Sequence, residues 1–174
     1  MNNLQNFQQK DDVMHCIRVC GGITGYTMGK LCPDEEVKKN MLLDGDIRKF
    51  PAIMKNKKGE VKTITFYEMA IKTGEYQSIR ADASTVRQIA YLNRCYLEYK
   101  DKASRFFDLK EIKTYVKNRG FDKYYKFMPH MIFLMDDDLY AVFVHTPRTT
   151  MDDDAKAEFY RDIGISNIIE YVTE

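Results

Sequence analysis

The 174 residues comprise 27 Lys and Arg against 26 Asp and Glu, with 44% hydrophobic and 30% charged positions. That composition excludes a fibre or a disordered tail, and the length suits one medium domain or two small ones that fold without disulfide staples. The longest apolar stretches, such as Met131–Met135, fall far short of the roughly 20 residues of a membrane span, and the polar opening Met1–Lys10 has no apolar signal segment, so a cytoplasmic protein with reduced thiols is expected.

The charge balance conceals an uneven distribution. Residues 1–80 hold 13 basic and 10 acidic side chains, net +3, and residues 81–174 hold 14 and 16, net −2. Between Lys38 and Lys72, nine basic residues face four acidic ones, a local +5. A basic surplus confined to one segment is compatible with phosphate contact over one face only.

In chain order, Asp11-Asp12 opens a helix carrying Val13, Met14, Ile17, Val19 and Cys20, which Gly21-Gly22 ends. Thr24 caps a second short helix with Tyr26, Met28 and Leu31. A third, from Asp34 to Leu43, has acids at its positive end and Val37, Met41 and Leu42 on its apolar side. The period then changes, and two β-rich arms around Lys55-Asn56-Lys57-Lys58-Gly59 read as a hairpin with a basic tip.

Three helices and a hairpin are the order of a winged helix-turn-helix, whose third helix enters the major groove while the hairpin touches the backbone. On that reading the DNA contacts are Lys38, Lys39 and Asn40 on the third helix, Tyr26 beside it, and Arg48, Lys55, Lys57 and Lys58 in the wing. The plainer alternative is a solvated helix face and hairpin turn on a protein-docking module.

Downstream, a long helix runs from about Ser84 to Tyr99, and a second from Asp108 to about Arg119 is capped by Asp108 and Glu111 and stopped by Gly120, with Lys110, Lys113 and Lys117 on its exposed face. The last third reads as strand, turn at Asp136-Asp137-Asp138, strand, helix from about Met151 to Ile163, and strand, the last pairing parallel through the helical crossover. The expected fold class is α+β: a winged helix-turn-helix domain over residues 1–80, then helices and a small α/β domain with a mixed sheet over residues 81–174.

This order, with Gly22-Ile23-Thr24 through Leu31 and the closing segment Phe66-Tyr67-Glu68-Met69-Ala70-Ile71-Lys72-Thr73-Gly74, resembles the replication-relaxation proteins of plasmids and conjugative elements. The resemblance implies DNA binding by a winged helix joined to a small α/β domain that looks like a reduced restriction-nuclease fold. Such a nuclease needs carboxylates on adjacent strands to hold a divalent metal. Here Pro129-His130 and Ala141-Val142-Phe143-Val144-His145 stand in those places, so binding without cleavage is expected.

Other chemistry finds little support. Asp136–Asp138 suits a polar turn and Asp152–Asp154 a helix start favoured by the dipole, rather than metal sites. Cys16 and Cys20 stand one helical turn apart, unlike a zinc knuckle, and with Cys32 and Cys95 read as buried free thiols. The three histidines are far apart in sequence, the many tyrosines have no evident catalytic partner, and Walker, dinucleotide and nucleophile-elbow motifs are absent. The expectation is therefore a non-enzymatic protein of a mobile element or phage that binds double-stranded DNA as a homodimer, with no cofactor, metal or membrane contact. The alternative is a factor that binds and inhibits a host protein.

Overall fold

A computed structural model describes residues 3–55, 60–70, 83–120, 127–145 and 153–173. The chain is α+β and divides into two compact units, Met1–Leu97 and Glu98–Glu174. The division falls inside the long helix, so most of that helix belongs with the first unit and not, as an 80/81 boundary implies, with the second.

The first unit begins with α1 (Asn3–Cys20), eight residues earlier than Asp11-Asp12 suggests. A two-residue strand β1 (Ile23–Thr24) follows, then α2 (Gly25–Leu31), α3 (Glu35–Leu43) and the hairpin β2 (Ile47–Lys55) and β3 (Val61–Met69). Thr24 caps α2 by accepting the Thr27 N–H, and Asp34 caps α3 by accepting those of Glu36 and Val37. The strands form an antiparallel sheet in the order β1-β3-β2, with Ile47 opposite Met69, Lys55 opposite Val61, and Thr24 opposite Phe66. Pro51 is tolerated in β2 because β2 is the edge strand.

Two residues explain how β1 docks. A Cβ on Gly22 would lie 2.4 Å from the Phe66 ring, so only glycine lets the chain pass this close to a fully buried aromatic. From α4 (Ala83–Tyr99), buried Asn93 accepts the Thr24 N–H and donates to the Gly22 carbonyl, both at 2.9 Å. One amide side chain thereby satisfies two backbone groups that a two-residue strand leaves unpaired. The surrounding core includes Cys16, Ile17, Ile23, Met28, Met41, Ile89 and Leu92.

The second unit adds β4 (Arg105–Phe107), α5 (Leu109–Lys117), β5 (Met131–Met135), β6 (Asp138–His145), α6 (Asp153–Asp162) and β7 (Asn167–Val172). Its sheet has the order β4-β5-β6-β7, antiparallel except for the parallel β6–β7 pair. The β5–β6 turn is one residue shorter than the acidic triplet suggests: Asp136 and Asp137 both have positive φ, as a two-residue turn of the primed type requires, and Asp138 already pairs with Met135. Ile112, Val116, Ile132, Ala141, Phe159, Tyr160 and Ile163 make a core between sheet and helices, and on the other sheet face Tyr99, Phe106 and Tyr140 pack around Phe133.

Candidate nucleic-acid interface

In α3, Val37 and Met41 point inward, and the outward side carries Glu35, Glu36, Lys39, Asn40 and Leu43. Lys39 and Asn40 are exposed side by side. Lys38 is different: its side chain is only 13% exposed and its ammonium sits 2.6 Å from the Glu35 carboxylate. Arg48, in β2, is paired with the buried carboxylate of Glu68 across the hairpin, the two residues being directly opposite in the ladder. Both cations are therefore partly neutralised within the fold. Glu35 is placed by the helix spacing of three, and Glu68 by the strand register.

Tyr26 projects from α2 into solvent, 72% exposed, with the Lys30 ammonium 5.8 Å from its ring centroid. Lys49 and Lys62, both within the basic Lys38–Lys72 segment though not among the expected DNA contacts, are exposed on the hairpin arms. Lys55 ends β2 opposite Val61. Lys57 and Lys58, the expected tip contacts, lie outside the described residues. Among the described residues, the exposed polar side chains of this unit include Tyr26, Lys30, Lys39, Asn40, Lys49 and Lys62, with Lys49 and Lys62 on opposite faces of the hairpin, and the acids Glu35, Glu36, Asp44 and Glu60 are exposed as well.

Large apolar side chains also reach solvent in the same unit: Leu4 and Phe7 on α1, Leu43 at the end of α3, and Ile53 and Val61 on the hairpin. Ile53 and Val61 fall on one face of the hairpin, because Val61 pairs with Lys55, two residues beyond Ile53.

The second unit holds a polar cluster that sequence reading missed. At the carboxyl ends of the parallel strands β6 and β7, Glu170 is paired with Lys156 from the first turns of α6, and His145 Nε2 stands 3.7 Å from the other Glu170 oxygen. Lys156 is buried, although its ammonium also approaches Asp153 at 3.5 Å and lies 5.9 Å from the Phe143 ring centroid. Beneath them the Tyr160 hydroxyl finds no hydrogen-bond partner among the described residues, and burial, then the Glu170 charge, pushes its pKa upward, keeping it protonated. Lys156, Glu170 and His145 are separated in sequence, and only the βαβ crossover brings them together.

Cys16 and Cys20 are buried with their sulfurs 3.9 Å apart, and burial, then the Cys20 neighbour, pushes the Cys16 thiol pKa up, which holds Cys16 in its thiol form. Among the described residues, no group of three or more His, Cys, Asp or Glu side chains converges to hold a metal ion, and no helix is long and apolar enough to cross a membrane. No protein-family model matches the chain, and no curated protein or solved structure is significantly similar to it.

Proposed function

We propose that the protein is a non-enzymatic DNA-binding accessory factor of a mobile element or phage, acting on duplex DNA through its first unit. The observation that carries this reading is the adjacency of exposed Lys39 and Asn40 on α3, a helix followed directly by a hairpin bearing exposed Lys49 and Lys62. Lysine meets phosphate, and asparagine is the side chain that pairs bidentately with adenine in the major groove. The order helix, short strand, helix, helix, hairpin supports a winged helix-turn-helix assignment, and the likeness in element order to replication-relaxation proteins supports a role in replication or transfer. A homodimer would double the few base pairs that one short helix reads.

The test is a salt series of duplex binding with the intact chain. The logarithm of affinity should fall with the logarithm of salt by roughly 0.9 per phosphate contacted. Unchanged low-salt affinity after joint Lys39→Glu, Lys49→Glu and Lys62→Glu substitution would exclude this surface.

A second reading, a module that binds and inhibits a host protein, is favoured by Leu4, Phe7, Leu43, Ile53 and Val61, all more than half exposed. It predicts stoichiometric capture of one protein, abolished by Ile53→Lys/Val61→Lys, with no retention of duplex at low salt.

A further inference from the structure

The second unit has its own cationic surface, on α5 and the strand before it. A groove of about 490 Å³ is lined by Arg105, Phe107, Lys110, Thr114, Tyr115 and Arg119, among others. The Arg119 guanidinium carbon lies 3.6 Å from the Tyr115 ring centroid, and that of Arg105 lies 4.6 Å from the Phe107 centroid. The two rings meet edge to face at 6.1 Å. Each guanidinium is therefore stacked on an aromatic, and both arginines are exposed.

The surface is held in place before any ligand arrives. The Tyr115 hydroxyl donates to the Ile163 carbonyl at 2.8 Å, fixing the ring. Asp108 and Glu111 form a capping box, and a Glu111 oxygen also accepts from Arg105 at 2.6 Å, orienting its plane. Lys110 lines the groove, and exposed Lys113 and Lys117 continue along the same helix about 4.5 and about 10.5 Å further on. From Arg105 to Arg119 there are five basic residues and two acidic ones, both acids being engaged in the cap, whereas residues 98–174 as a whole carry 12 basic against 15 acidic. Three of the five, Arg105, Lys110 and Arg119, line the groove beside its stacking planes, while Lys113 and Lys117 lie on the other flank of the helix.

These features select the occupant. An acidic peptide would use the charge but not the flat guanidinium–aromatic stacks, and a duplex keeps its bases stacked on one another. Unpaired bases stack on aromatic rings and on guanidinium planes while a cationic rim follows the backbone. We propose that this groove binds a single-stranded nucleic-acid segment, with bases on the Arg119–Tyr115 and Arg105–Phe107 stacks and the backbone phosphate against Lys110. The proposal is independent of the duplex contact assigned to the first unit.

The experiment is fluorescence anisotropy of the full chain with labelled oligothymidylate, a duplex of the same length and a polyglutamate peptide, across a salt series. Oligothymidylate should bind more tightly than polyglutamate. Arg119→Lys, which keeps the charge and loses the stacking plane, should weaken oligothymidylate binding by about tenfold, with duplex affinity and the thermal midpoint unchanged. Lys110→Gln should flatten the single-strand salt slope by about 0.7, and Lys117→Gln, outside the groove, should leave it unchanged. The site is overturned if oligothymidylate does not bind at low salt, if polyglutamate binds as tightly, or if Arg119→Lys and Lys110→Gln both match the parent protein. Absence of single-strand binding by the parent protein, with duplex binding present, refutes only this site, and the converse refutes only the duplex reading.

Discussion

The imidazole Nδ1 of His130 accepts the Val144 backbone N–H at 3.0 Å, while the His130 backbone N–H donates to the Val142 carbonyl at 2.9 Å. A side chain thereby extends the β5–β6 ladder beyond Met131. Only an imidazole unprotonated at Nδ1 can accept this bond, and burial, then the neighbouring His145, lowers the His130 pKa from 6.5 to about 4. Between these values the unfolded chain takes up a proton at His130 and the folded chain does not. The contribution of His130 to stability is therefore complete above about pH 6.5 and declines as pH falls towards 4, by ~3 kcal/mol in total. Urea unfolding at a series of pH values should show this slope, and His130→Asn should remove it. A slope that survives the substitution would assign the effect to other groups.

Asn93 offers a test of how β1 is held. Replacing it with leucine keeps the volume approximately but leaves the Thr24 N–H and the Gly22 carbonyl buried without their partner. With about 1–3 kcal/mol for each orphaned group, the first unit should lose on the order of 3 kcal/mol in a denaturant melt. A loss below 1 kcal/mol would mean that water replaces the amide.

The Lys156–Glu170 pair should respond asymmetrically. Side-chain exposure is 7% for Lys156 and 37% for Glu170. Removing Glu170's charge strands a buried ammonium, with only the exposed Asp153 at 3.5 Å in compensation, whereas removing the lysine leaves a carboxylate that water can reach. Glu170→Gln should therefore destabilise by ~2–3 kcal/mol and Lys156→Met by less than half of that. Equal losses in thermal or urea unfolding would contradict the asymmetry.

On α3, neighbouring lysines should behave differently towards duplex DNA. Lys39→Gln should flatten the salt slope by about 0.9. Lys38→Gln should have less than half that effect, since Glu35 already holds its ammonium at 2.6 Å. Equal slopes in a binding series would show that the Glu35 pair opens on DNA.

What the sequence alone determined is what depends on near neighbours in the chain. The caps at Thr24 and Asp108–Glu111, the stop at Gly120, the β2–β3 hairpin and the parallel β6–β7 crossover follow from short-range hydrogen bonding, backbone conformation and chain-length limits on connections. Exposure of Lys39 and Asn40 follows from helical spacing in the same way, whereas Lys38, expected beside them, is drawn down to Glu35. Tertiary structure decided everything whose partner is distant. β1 exists because β3 and Asn93 satisfy its backbone, Arg48 is drawn to Glu68 by strand register, and β4 forms only beside β5. The α5 groove needs Ile163 to fix Tyr115, and the His145, Lys156 and Glu170 group needs the βαβ crossover. Pattern and propensity specify which residues can face solvent or core; only packing specifies which charges remain open once the chain has paired the rest.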